Sequence, residues 1–141
     1  CTVAAHAEPY YDGKRIPPGM IDPPFQALGA EWMREVDDII GMQKHADPQE
    51  IALAKAERHM HVDMVMAPQT RGISSSSHPR LYALLDRVGD TSKAVTDEAK
   101  RYWNTRRPYL MDTRVQALIE PHDNPAYPSG HTSGSYVWAH V

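Results

Sequence analysis

Apolar positions recur along most of this chain at three- and four-residue steps, the spacing that lines one face of an α-helix. Phe25, Leu28, Trp32, Val36 and Ile39 form the first such stripe. It follows Asp22-Pro23-Pro24, where an acidic cap and prolines in the first turn predict a helix start. Asp47-Pro48-Gln49-Glu50 is a second start, an acidic cap with a glutamate three positions on. Leu53, Ala56, Met60 and Met64 continue that stripe up to Pro68. Leu81, Leu84, Leu85 and Val88 predict a short inward-facing helix ending at Gly89. A further helix is expected from about Thr91 to Arg106, burying Val95, Ala99 and Tyr102. Pro108 closes it and biases Arg107 towards an extended backbone.

Between these stripes the chain is polar or turn-forming. Residues 8–22 carry Pro9, Pro17 and Pro18 with Gly13 and Gly19, and read as an extended lead-in. Arg71 to Ser77 is a polar loop with four consecutive serines, expected to be flexible. Thr113 to Ile119 predicts another short helix. Tyr127-Pro128-Ser129-Gly130 is a turn, from which a last helix starts around His131 and runs to the end of the chain. No stretch alternates at the period of a strand and no internal repeat is present. The expected fold class is all-α, helix packed on helix.

Composition narrows the function classes. Hydrophobic residues make up 41% of the 141 positions and charged residues 23%, a balance that argues against disorder. The formal net charge is -3 without a long basic run, so nucleic acid is a poor partner. Apolar runs such as Met64-Val65-Met66-Ala67 are too short for a transmembrane segment. One cysteine, Cys1, permits no disulfide within the chain. Ala5-His6-Ala7 before Glu8-Pro9 has the small-x-small form that a signal peptidase cuts. Three chance alanines at an arbitrary N-terminus fit as well, and a lipidated Cys1 is a third reading.

Two segments carry candidate chemistry. In Lys100-Arg101-Tyr102-Trp103-Asn104-Thr105-Arg106-Arg107-Pro108, Lys100 and Arg107 stand about two helical turns apart, on one side of a helix. A solvated basic face explains the same spacing, and Tyr102-Trp103 reads as core. In Tyr127-Pro128-Ser129-Gly130-His131-Thr132, a glycine after serine lets a turn close and aims successive N–H groups at one point, as in an anion-binding nest. A helix start adds partial positive charge there. His131 then sits in the first turn, where an imidazole suits general acid work. A plain capping loop with an exposed histidine is the simpler alternative.

Taken together, Lys-x6-Arg-Pro followed by Pro-Ser-Gly-His resembles the first two parts of the three-part signature of the type 2 phosphatidic acid phosphatase superfamily. That superfamily includes bacterial class A non-specific acid phosphatases, membrane lipid phosphatases and vanadium haloperoxidases. The lead-in and first helices also look like the soluble acid phosphatases. The resemblance implies a helical bundle of the acid phosphatase and vanadium haloperoxidase type. It implies that Lys100 and Arg107 hold phosphate oxygens, that Ser129 and Gly130 complete the cradle, and that His131 protonates the leaving oxygen. Small phosphorylated substrates, a periplasmic or secreted location and no metal cofactor follow from it, with vanadate as cofactor under the haloperoxidase alternative and a homo-oligomer left open. The third part, Ser-Arg and then His and Asp, carries the histidine nucleophile and is not in this sequence. His140 lacks both the preceding Ser-Arg and the following Asp. The expectation is therefore a lead-in over 1–22, a signal-peptide remnant at its start under the cleavage reading, and a helical phosphatase domain over 23–141, incomplete and truncated at the C-terminus. A fragment that binds phosphate without catalysis is the other reading.

Weaker features have plainer explanations. His59 and Asp63 could share one helix face, but two ligands make no metal site. Ser74 to Ser77 with His78 lacks the glycine elbow and oriented acid of a nucleophilic serine. Met60, Met64 and Met66 read as core filling.

Overall fold

A computed structural model describes residues 8–12, 14, 17–66 and 72–141 of the protein. Among these residues every regular element is helical: α1 (Ala30–His45), α2 (Pro48–Ala56), α3 (Val62–Met66), α4 (Pro79–Trp103) and α5 (Gly130–Ala139), with 3-10 turns at Pro18–Met20 and Pro108–Leu110. The fold is all-α. Pro68 and Arg71, expected to end one helix and open a loop, lie outside the described residues. The chain divides into two units, one of Cys1–Pro18, Met60–Ala99 and Pro128–Val141, the other of Gly19–His59 and Lys100–Tyr127.

In the first unit Val62, Tyr82, Leu85 and Trp138 form a buried cluster, flanked by Met60, Val65, Leu81 and Val88. Leu85 is 2% exposed and carries the centre of that cluster. Leu84, expected inward, is 38% exposed instead. The predicted stop at Gly89 is not there. α4 runs straight through it, and packing accounts for the glycine: a β-carbon at that position would lie 2.9 Å from Trp138 Cζ2. A glycine inside a helix costs about 1 kcal/mol relative to alanine. Here the missing side chain admits an aromatic ring, and Trp138 Nε1 donates to the Leu85 carbonyl at 2.8 Å.

The lead-in is tied down where it is described. Arg87 Nε donates to Glu8 O at 2.7 Å, its guanidinium lies 3.8 Å from the Tyr10 ring centroid, and Tyr10 N donates to Thr91 Oγ1 at 2.9 Å. The serine loop is also more ordered than its composition predicts. Ser74 N donates to Ser77 Oγ at 2.9 Å and Ser77 N to Ser74 Oγ at 3.2 Å. These hydroxyls replace backbone partners and close a turn, with Gly72 at φ 88° supplying the left-handed residue before it.

In the second unit α1 buries Trp32 and Val36. It starts at Ala30, later than the Asp22-Pro23-Pro24 signal predicts. Leu28 adopts φ 63° and Gly29 N donates to Gln26 O at 2.9 Å, so a turn intervenes and leaves Phe25 and Leu28 exposed. α2 starts where expected. Asp47 Oδ1 accepts from Gln49 N at 2.7 Å and Glu50 N at 2.9 Å, and Glu50 Oε2 accepts from Asp47 N at 3.1 Å. Its apolar stripe is not buried, however: Leu53 is 58% exposed and no α2 residue is in the core. The helix ends at Ala56, so the stripe does not continue to Met60 and Met64.

Residues 113–119, predicted helical, are irregular. The reason lies in α1. Gln43 Nε2 donates to Arg114 O at 2.7 Å and Gln43 Oε1 accepts from Gln116 N at 2.9 Å. Asp112 Oδ1 accepts from Arg114 N at 2.9 Å. Side chains thus satisfy the backbone groups that a helix would have paired.

Candidate functional site: a lysine–arginine clasp and a helix start

Lys100 and Arg107 both lie in the second unit. They do not share a helix face, as their spacing predicts, because α4 ends at Trp103. Asn104 then takes φ 43° and donates its N–H to Lys100 O at 2.9 Å, which turns the chain away from the helix axis. Asparagine is among the few residues that accept this conformation readily. Arg107 is extended, at φ -69° and ψ 142°, as the following proline requires.

The reversal brings both cations to one short segment. Lys100 is 5% exposed, and its Nζ donates to Pro125 O at 2.6 Å and Ala126 O at 3.3 Å. Arg107 Nε donates to Asn124 O at 3.0 Å and Nη2 to Asn124 Oδ1 at 2.7 Å. Thr105 completes the attachment: its carbonyl accepts from Ala126 N at 3.0 Å and its Oγ1 from Tyr127 N at 2.8 Å. Tyr127 in turn donates its hydroxyl to Asp22 O at 2.6 Å. The sequence reading gave the two cations a role towards phosphate and missed their hold on residues 124–126. Thr105 and Asn124 were missed as well. The only signal for them was the turn-forming run Asp123-Asn124-Pro125.

Tyr102 is 59% exposed, not buried as predicted, and packs edge-on against Trp103 with centroids 4.8 Å apart. The Trp103 Nε1 is buried without a hydrogen-bond partner.

Ser129, Gly130 and His131 lie in the first unit. Ser129 is the N-cap of α5, at φ -73° and ψ 121°, and its Oγ accepts from Thr132 N at 3.2 Å. Its carbonyl accepts from Ser133 N at 3.1 Å and Ser133 Oγ at 2.9 Å. Gly130 is the first helical residue. Its φ is ordinary, so glycine is not what closes the turn, in contrast to the nest expected from sequence. A β-carbon there would meet nothing within 4 Å, so the helix start is open above it. His131 is exposed in the first turn. The initial N–H groups of a helix point out of its end and carry partial positive charge. Backbone donors, a hydroxyl and an imidazole on consecutive residues can together engage an anion and supply a proton.

The other candidates resolve into structural roles. His140 caps the end of α5, with Nδ1 donating to Tyr136 O at 2.7 Å. His59 lies beyond the end of α2, and Arg58 Nη1 donates to its Nε2 at 2.9 Å, which places the ring proton on Nδ1. Asp63 accepts from the Tyr82 hydroxyl at 2.8 Å. That bond, then burial, raises the Tyr82 pKa above its ordinary value. Among the described residues no group of three or more His, Cys, Asp or Glu could hold a metal ion. Ser77 Oγ lies 2.9 Å from His78 Nδ1, but the hydroxyl is also engaged with Gly72 O and the Ser74 side chain. Among the described residues no helix is long and apolar enough to cross a membrane.

No protein-family model, curated protein or solved structure matches this chain.

Proposed function

We propose that this chain is the phosphate-binding portion of an acid phosphatase of the type 2 phosphatidic acid phosphatase superfamily, acting on small phosphate monoesters in the periplasm or outside the cell. The observation that carries the reading is the pair of motifs, Lys100-x6-Arg107-Pro108 and Pro128-Ser129-Gly130-His131, in signature order. The all-α fold supports it, as does the local form of the second motif. Ser129 caps a helix whose first residue is an unobstructed glycine, an arrangement suited to an oxyanion.

In this reading Lys100 and Arg107 balance the charge of the phosphoryl oxygens. Ser129 and the N–H groups at the start of α5 donate to phosphoryl oxygens, and His131 protonates a departing alcohol. Fixed donors of this kind stabilise charge that spreads over the equatorial oxygens during transfer. The histidine nucleophile belongs to the third signature part, which these 141 residues do not contain. The chain by itself therefore binds phosphate without turnover.

Isothermal titration with inorganic phosphate, run beside a chromogenic phosphate ester assay, tests this. Saturable binding is expected, with no ester hydrolysis. Arg107→Ala and His131→Ala should each weaken phosphate binding by about 10–100-fold, the worth of a hydrogen bond to a charged group. Far-UV circular dichroism would establish that the variants are folded. Absence of binding, or binding indifferent to both substitutions, overturns the proposal.

A further inference from the structure

α5 is held in its unit by two glycine contacts of opposite sense. Trp138 of α5 lies over Gly89 of α4. Conversely, Met60, just ahead of α3, presses its thioether onto Gly134 of α5. A β-carbon on Gly134 would clash with the Met60 methyl group and stand 3.2 Å from its sulfur. Gly134 is buried, Met60 is half-buried, and Ser135 Oγ donates to Met60 Sδ at 3.7 Å. Met60 also packs against the cluster of Val62, Tyr82, Leu85 and Trp138. A flexible, apolar thioether fills such a close space against bare backbone well.

We propose that Met60 is an oxidation-sensitive modification site whose sulfoxide loosens α5. The oxidant is a peroxide. The sulfur lone pair attacks one peroxide oxygen, the O–O bond breaks, and the other oxygen departs as water once protonated. Sulfur loses two electrons and the peroxide gains them. The product carries a polar oxygen on a sulfur packed beside the Gly134 backbone and next to an apolar cluster. Ser135 Oγ is the nearby donor, and making room for the added oxygen shifts α5 away from Met60. Ser129 to His131 begin the same helix, so the shift is transmitted to that turn. The inference rests on packing alone and holds whatever ligand binds there.

The test is graded exposure of the whole chain to hydrogen peroxide, with peptide mapping by mass spectrometry and thermal unfolding of each sample. Met20 and Met42, 74% and 72% exposed, should oxidise first and leave the transition unchanged. As Met60 sulfoxide accumulates, the midpoint should fall by roughly 3 °C or more for a chain of this size. Methionine sulfoxide reductase should restore it. Met60→Leu, which keeps the volume but cannot be oxidised, should hold its midpoint under the same exposure. An equal fall in Met60→Leu overturns the proposal, as does a fully oxidised Met60 with an unchanged midpoint. A Met60 that reacts only in unfolded protein overturns it too. Should Met60→Leu not fold, amide exchange in wild-type α5 decides instead. Exchange that rises with the Met60 sulfoxide fraction supports the proposal, and exchange that does not rise overturns it.

Discussion

Trp138 donates its indole N–H to Leu85 O at 2.8 Å while its ring edge approaches Gly89 to within 2.9 Å of where a β-carbon would stand. The two contacts come from adjacent turns of α4, so the ring is fixed both by direction and by fit. A buried indole otherwise leaves a donor unpaired or a cavity unfilled.

Gly89→Ala should accordingly destabilise the protein, although alanine is the better helix former by about 1 kcal/mol. The added methyl group cannot be relieved by bending a flexible chain, because the atom it meets belongs to a rigid ring. Overpacking of this kind typically costs about 1–3 kcal/mol. Urea unfolding followed by tryptophan fluorescence measures the outcome. A gain in stability would mean that α5 can move away from α4 at little cost.

Lys100 offers a second test, because its amine is buried against the carbonyls of Pro125 and Ala126. Lys100→Met keeps most of the aliphatic stem and removes the donors. Hydrogen bonds to charged groups contribute about 1.5–3 kcal/mol, and the two carbonyls lose this donor. Stability should fall by an amount in that range with no phosphate present. Denaturant titrations of wild type and variant in phosphate-free buffer measure it, and unchanged stability would show that the clasp contributes nothing to the fold.

α2 should depend on its cap to an unusual degree. None of its residues is in the core, so packing supplies little of its stability. The reciprocal bonds between Asp47 and Glu50 remain. Asp47→Ala should cost about 0.5–2 kcal/mol of helix stability. That is enough to fray α2 locally while the buried clusters stay intact. Amide exchange should accelerate in residues 49–56 and stay unchanged in α4.

How far the sequence spoke for the fold depended on the range of the interactions. The start of α2 was legible because Asp47, Pro48 and Glu50 settle it among themselves. Arg107 was legible for the same reason, its backbone set by the next residue. Gly89 was misread as a stop because its reason is Trp138, far along the chain and in another helix. Residues 113–119 were misread because Gln43 of α1 pairs their backbone, which no local pattern reveals. At the candidate site, the helix start at Ser129 could be read from Pro-Ser-Gly-His. The attachment of Lys100 and Arg107 to residues 124–126 could not, because it follows from the reversal at Asn104.

The pairing of Asp112 with Arg114 sets a pH dependence whose sign can be worked out. Arg114 Nη2 donates to Asp112 Oδ2 at 2.7 Å, its Nε lies 3.1 Å from both carboxylate oxygens, and its backbone N–H is bonded as well. These bonds, the side-chain ones foremost, lower the Asp112 pKa. An unfolded aspartate titrates near about 3.9. A carboxylate whose folded pKa is depressed stabilises the fold fully above the unfolded value, and the contribution disappears as pH falls through the folded one. Asp112→Asn keeps the shape and one acceptor oxygen but fixes the neutral state. Wild type should therefore be more stable than the variant at neutral pH. The gap should stay constant down to about pH 5, narrow below about 3.9 and close once Asp112 is protonated in the folded protein. Asp37, which meets Arg114 at 3.2 Å but whose side chain is 62% exposed, should show a smaller gap when replaced by asparagine. Denaturant midpoints for the three proteins across pH 2 to 7 provide the comparison. A gap for Asp112→Asn that persists undiminished at the lowest pH would mean that the substitution acts through packing, not through the charge.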